Sequence, residues 1–296
     1  MDDSQGGGGG RGAGGKAWNP LLEIVQMCTS ASGVRPQTIL FSATIGDDDR
    51  DPEDIKLHTY LQELATRQHV LCKALRKDVA GMTHLIIRAP NDETKKKVLA
   101  YLMSDTVLLG SAIVFCMDKD RASCSVRGLM HMDPEIRLRE RMDPLRDSDP
   151  CLTGVQEFHA GAEITREQRI KMMSRFRENK ARILVATDAV AKGIDVPNVT
   201  MVVQMELVKP WIGKGGFSWL KTQSKALDQF RHRSGRTARA LQKGINVVMI
   251  DANEEELATK YMRVLGISQG NFKVVHVDDS GRVDDSLRTF IETAQH

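Results

Sequence analysis

Ser111-Ala112-Ile113-Val114-Phe115-Cys116 is a six-residue run without a charged side chain. A run of that kind marks a strand covered on both faces, because a strand with one wet face alternates apolar with polar residues. Covering both faces takes helices above and below, and hence a parallel sheet with helical crossovers. The neighbouring sequence supplies them. Upstream, His84 to Ile87 reads as a short buried strand that Pro90 ends, and Asn91 caps a helix carrying Val98, Leu99 and Leu102. Downstream, a helix is expected from about Lys119 to Leu129, and the core resumes at Val155 to His159. Thr165 with Gln168 makes a capping box for a helix expected to bury Ile170, Met173 and Phe176. Arg182 to Thr187 and Thr200 to Leu207 read as two further strands, and Ile245 to Ile250 as another. Asn253 with Glu256 is expected to cap a helix with Leu257, Tyr261, Val264 and Leu265 on one face, stopped by Gly266, before a last strand at Phe272 to Val277. The fold class is α/β: a parallel sheet with helices on both faces, whose ligands are expected past the carboxyl ends of the strands.

Composition bounds the function without choosing it. Of 296 residues, 41% are hydrophobic and 27% charged, as in soluble globular proteins, while the net charge of +3 is too mild to argue for nucleic acid by itself. A phosphate-binding surface must therefore come from clustering. Five cysteines, odd in number and without a Cys-x-x-Cys pair, disfavour a disulfide framework and a structural zinc site, so no metal centre is expected and the expected compartment is reducing and intracellular. Cytosol, nucleus and mitochondrion all fit. The longest apolar run, about Val107 to Met117, is too short to cross a membrane. Residues 1–17 are acidic and then glycine-rich, and are expected to be disordered. Gly10 to Ala17 nearly spells a phosphate-binding loop, but Ala17 cannot supply the hydroxyl that holds magnesium and no strand precedes it.

The clustering is at His232-Arg233-Ser234-Gly235-Arg236-Thr237-Ala238-Arg239. The glycine frees the backbone, and the spacing of Arg236 and Arg239 would let them share one face of a helical turn. Arginine suits a polyphosphate, because its planar fork donates two hydrogen bonds at once and keeps its charge. Between the strands and this stretch, residues 208–227 interleave lysines with Trp211, Phe217 and Trp219 around three glycines, which fits either base stacking or a flexible loop.

The order of these blocks resembles the carboxyl-terminal RecA-like domain of superfamily-two helicases, most closely the DEAD-box RNA helicases. Phe41-Ser-Ala-Thr44 is similar to the family's S-A-T motif and Ile113-Val-Phe-Cys116 to its motif IV strand; Ala186 to Pro197 is similar to motif V, and His232 to Arg239 to motif VI. The similarity runs from about Gln37 to Ile250. It implies that Arg236 and Arg239 are fingers on the terminal phosphates of ATP, with His232 coupling them to the interdomain segment of Ser42 and Thr44. It also implies that Gly193 and Asp195 approach the nucleotide, and that Thr187, Lys192, Arg169 and Arg166 face an RNA backbone, read without regard to sequence. ATP and Mg2+ would be held mainly by an amino-terminal RecA-like domain, whose Gly-Lys-Thr loop and Asp-Glu-Ala-Asp motif this chain does not contain.

Some positions depart from the family pattern. Lys192 stands where arginine is usual, Arg166 where the Q-x-x-R glutamine is usual, Ser234 for an aliphatic residue and Ala238 for glycine. The expected organisation is residues 18–75 as a remnant of the first RecA-like domain with its linker, then the helicase domain at 76–296 with insertions near 132–150 and 208–227. Three functions follow: the carboxyl half of an ATP-dependent RNA helicase, either a piece of a longer chain or a half that meets its amino-terminal partner in trans; a non-catalytic RNA-binding or ribonucleoprotein-assembly factor; or, since Phe158-His-Ala-Gly161 resembles the RecQ group, a DNA helicase relative.

Overall fold

The computed structural model describes residues 20–34, 59, 81–104, 107–108, 110–132, 154–159, 161, 164–188, 199–210, 219–239, 242–283 and 285–295. The chain divides into two compact units, residues 1–74 and 75–296. In the first, helix α1 spans Pro20–Ser32, with proline in the first turn, where its missing N–H costs nothing, and Gly33 at φ 70° ending it. Val25 is buried, whereas Ile24 is 57% exposed. The segment similar to the S-A-T motif, Phe41 to Thr44, lies outside the described residues, as do residues 1–17.

The second unit is a seven-stranded sheet in which every pairing is parallel, as the sequence led us to expect. Its strands are β1 Met82–Arg88, β2 Ser111–Cys116, β3 Val155–Phe158, β4 Ile183–Thr187, β5 Val199–Gln204, β6 Gly244–Ile250 and β7 Phe272–His276, in the spatial order β3-β4-β2-β5-β6-β1-β7. Strand β2 sits inside and all six of its residues are buried.

The strand alternation separates two cores. Leu85, Ile87, Val114, Val185, Val203 and Val247 point to one face, against helices α2 (Asp92–Met103), α3 (Lys119–Met132) and α7 (Asp285–Gln295). Residues one step along point to the other: Ile113, Phe115 and Leu184 pack on α4 (Arg166–Arg177), and Ile86, Val248 and Ile250 on α5 (Trp219–Ser234) and α6 (Glu255–Val264). The strands read as continuous apolar runs because both parities are buried.

Helix starts follow the expected chemistry at two places and depart from it at a third. The Asn91 side chain accepts from the Thr94 N–H at 2.8 Å, and Thr165 and Gln168 form the reciprocal box at the head of α4. Thr165→Ala should lower stability by about 1 kcal/mol, read as a lower midpoint in urea unfolding. Helix α6 instead starts after Glu254 without a side-chain cap, since the Glu254 carboxylate is turned back to the Asp251 N–H at 2.8 Å. The apolar faces also depart from those expected, although Tyr261 and Leu265 are buried as read from the sequence. In α4, Met172 and Phe176 are buried and Ile170 is 62% exposed, while in α6 Ala258, Tyr261 and Met262 are buried and Val264 is 59% exposed.

Candidate nucleotide and nucleic-acid sites

The expected insertion at 208–227 is in part helix, because α5 begins at Trp219 and runs without a break into the arginine stretch. It ends at Ser234. Arg236 and Arg239 therefore do not share a helical turn; they lie on the segment that leaves the helix, where Arg236 Nε donates to His232 O at 3.3 Å and Arg239 Nε to Gly235 O at 2.9 Å. Gly235 does not supply the unusual backbone either. The left-handed residue is Ala238, at φ 54°.

This segment also sits at the opposite edge of the sheet from the one expected. Thr237 Oγ1 donates at 2.6 Å to the carbonyl of Val199, the first residue of β5. Gly244, the first residue of β6, backs directly onto it: a Cβ there would lie 2.1 Å from Thr237 Oγ1 and 2.6 Å from the Ala238 nitrogen. Glycine at 244 is a packing requirement, with the arginine segment pressed against the amino edge of β5 and β6. Gly244→Ala should cost about 2 kcal/mol, measured by chemical unfolding. It should also displace Arg236 and Arg239.

The two guanidiniums face one electrostatic environment. Burial, and then the positive charge of Arg239, lower the proton affinity of Arg236 below the usual arginine value. Two like charges held together favour an anion between them, and a polyphosphate fits this donor set. His232 lies one turn back on α5, half-buried.

The carboxyl edge carries a different set. Thr187 ends β4, buried at 7% exposure, and Asp188 follows it. Asp188 is gripped from α5: Arg233 Nε donates to Oδ1 at 2.8 Å, Arg233 Nη2 donates to Oδ2, and Gln229 Nε2 donates to the same Oδ2. Arg233 is 3% exposed and its guanidinium lies 5.5 Å from the centre of the Phe115 ring. Beside it, Glu206 after β5 accepts from the Met117 N–H at 3.1 Å and from Arg121 Nη1 at 3.0 Å, which ties the loop after β2 to the head of α3. Burial raises the proton affinity of Glu206 above that of an ordinary carboxylate, against the opposing pull of Arg121 and Arg233. At the head of α4, Arg166 is exposed, and Arg169 Nη1 donates to Ile164 O at 2.6 Å.

The expected residues thus fall into two groups on opposite edges, roughly 16 Å apart by the rise of a six-residue strand. Thr187, Arg166 and Arg169 lie at the carboxyl edge, and Arg236 and Arg239 at the amino edge. Lys192, Gly193, Asp195, Ser42 and Thr44 lie outside the described residues. Asp188, Arg233, Gln229, Glu206 and Gly244 were not singled out as site residues from sequence; the only signal was an acid directly after a strand and an extra arginine in the basic stretch. Among the described residues, no cluster of three or more His, Cys, Asp or Glu could hold a metal ion, and no helix is long and apolar enough to cross a membrane.

Residues 94–241, half of the 296, match the helicase conserved C-terminal domain. The chain belongs to this family. That bears out the resemblance read from its motifs, and the parallel α/β sheet bears out the RecA-like fold. Among curated relatives, the ATP-dependent RNA helicase DBP8 of Phaeosphaeria nodorum is 28% identical over 92% of this chain and 46% of its own length. The ATP-dependent RNA helicase DbpA of Bacillus subtilis is 26% identical over 83% of this chain and 42% of its own length. The chain spans under half the length of these helicase relatives. The fold is that of S. cerevisiae Dbp5 bound to RNA and ADP BeF3, with a TM-score of 0.58 at 21% identity, covering 92% of this chain and 59% of that one.

Proposed function

We propose that the chain is the carboxyl-terminal portion of an ATP-dependent RNA helicase, which remodels RNA or RNA–protein complexes as two RecA-like domains close. The reading rests on one observation: helix α5 carries Arg233, which holds the Thr187-Asp188 corner at one edge of the sheet, and the segment leaving that helix carries the arginine pair at the other. Its Arg233 grips Asp188, and the next turns deliver Arg236 and Arg239. Arg233 lies only three residues before Arg236, so a movement of the arginine pair would bear on the corner that Arg233 holds.

The residues take these roles. Arg236 and Arg239 donate to the terminal phosphates of ATP held by an amino-terminal RecA-like domain, neutralising charge as the phosphoryl group leaves. Gly193 and Asp195 approach the same nucleotide, and His232 couples the pair to Ser42 and Thr44. Thr187 offers a hydroxyl and, with Lys192, Arg166 and Arg169, lies along an RNA backbone, a contact set that is blind to base sequence. ATP with Mg2+ supplies the free energy of domain closure and release.

Binding of a fluorescent single-stranded RNA to the full chain, followed by anisotropy, tests the nucleic-acid half. RNA should bind more tightly than DNA of equal length. Arg169→Ala and Thr187→Ala should weaken binding whatever the base sequence, and Arg169→Ala should also reduce the slope of log affinity against log salt by about 1. Equal or tighter binding of DNA would favour the DNA-helicase reading. RNA binding together with turnover that ignores Arg236→Ala would favour an assembly factor without catalysis.

A further inference from the structure

Beside the head of α4 the margin of the sheet carries a cleft that the backbone contacts proposed above do not use. Strand β3 is terminal in the strand order, and the cleft, about 380 Å³ and within the range of ligand-sized clefts, lies against it. Its apolar lining is buried at Val155 and Met172 and half-buried at Met130 and Ile164, and most of the rest is polar. Gln168 lines it too, from the first turn of α4 that also carries Arg166 and Arg169. The cleft therefore adjoins the residues assigned to an RNA backbone.

One carboxylate in the lining is held in place from two elements. Glu157 Oε1 accepts from Ser123 Oγ on α3, and from His159 Nε2 at 3.1 Å. The His159 ring is 5% exposed, and its Nδ1 accepts from the Gly161 N–H at 2.9 Å, which leaves the ring proton on Nε2 for Glu157. Those two bonds use two of the roughly four acceptor sites of a carboxylate. The Glu157 side chain keeps 27% of its surface exposed, so acceptor sites remain for a ligand.

Bases of single-stranded RNA are read by splaying them out, packing a side chain on the ring and hydrogen-bonding the Watson–Crick edge. The cleft supplies both parts, a thioether at Met130 and an acceptor at Glu157. A carboxylate only accepts, and that selects among bases. Adenine, cytosine and uracil each set an acceptor beside the donor on that edge, which the negative charge repels, whereas guanine sets two donors side by side, N1–H and N2–H. We infer that the cleft beside β3 receives one guanine base of the bound RNA, its Watson–Crick edge donating to Glu157 and its ring packed on Met130. The inference rests on the RNA reading proposed above and adds to it one position at which sequence is read. Free guanosine monophosphate carries the same edge, so the test separates the two sources.

A fluorescent oligouridine, and the same strand with one central guanosine or adenosine, can be titrated into the full chain by anisotropy. The guanosine strand should bind about tenfold more tightly than the oligouridine, as one good base contact does, and the adenosine strand at most about twofold. Glu157→Gln, which sets an N–H2 against the guanine donors, should remove the gain and leave the oligouridine affinity unchanged. Arg169→Ala should weaken all three strands and keep the gain. In the natural chain carrying 13C-methyl methionine, the Met130 signal should move upfield with the guanosine strand and not with the oligouridine. A guanosine strand that binds no better than the oligouridine, a gain that survives Glu157→Gln, or a Met130 signal that stays still at saturation overturns the inference and leaves the helicase reading standing. Guanosine monophosphate binding as tightly as the guanosine strand would make the free nucleotide the ligand and overturn it as well. Binding of none of the three strands would overturn the RNA reading itself, and this inference with it.

Discussion

Arg236→Ala is expected to lower RNA-stimulated ATP turnover by roughly 10³- to 10⁵-fold, the usual worth of a finger that meets charge developing on a transferred phosphoryl group. The assay mixes the full chain with the amino-terminal RecA-like domain of a relative. Arg239→Ala should fall in the same range, and the two losses should not add, because a phosphate gripped by one fork is no longer in place for the other. Arg236→Lys should recover only part of the rate, since an ammonium keeps the charge and loses the two-pronged geometry. Stability should hardly move in any of the three. Arg236 Nε donates to the His232 carbonyl at 3.3 Å, a long bond, and the charge of its neighbour Arg239 repels it, an effect the substitution relieves. A large fall in turnover with an unchanged melting temperature separates a role in chemistry from one in folding.

The second large effect is structural. Asp188→Ala should cost about 3–5 kcal/mol, because it leaves the guanidinium of Arg233 without its carboxylate in a buried place. Arg233 is 3% exposed, and its Nε and Nη2 both donate to Asp188. The expected result is a loss of about 10 °C in melting temperature. Adding Arg233→Met should return part of that loss, since an apolar side chain on the Phe115 ring has no charge to strand. RNA binding should fall as well. Thr187 is the residue before Asp188, and its hydroxyl depends on a corner that α5 anchors.

The sheet was legible because its chemistry is local. Both-face burial shows as an unbroken apolar run, as at Ser111–Cys116, and a capping box is a spacing of three, as at Thr165 and Gln168. The rotation of α4 was not legible in that way. Ile170 and Met172 are equally apolar, and which of them faces the sheet depends on the angle at which the helix lies on Phe158 and Leu184. Helix α5 was half hidden by the glycines before Trp219, which favour reading a loop up to the arginines. α7 was passed over after the last strand, although its Leu287 and Ile291 close one face of the core.

The candidate site was legible as residues and not as a place. Motif order named Arg236, Arg239 and Thr187, but putting them all past carboxyl ends assumed that ligands bind at one edge. The bond from Thr237 to Val199 and the close approach of Gly244 put the arginines at the other. The residues linking the edges carry no motif strength of their own. Glu206 is one acid among 39 Asp and Glu, and becomes distinctive only when the loop after β2 and the head of α3 both turn to it.

The central claim is that this chain completes, at its amino edge, a nucleotide site whose other side belongs to a second RecA-like domain. It is tested most directly by the rate of ATP hydrolysis when the natural full chain, the amino-terminal domain of a relative and single-stranded RNA are combined. The account predicts a rate at least a hundredfold above the sum of the separate proteins, and dependent on the RNA. A rate equal to that sum, with both proteins folded and bound to each other, would contradict it.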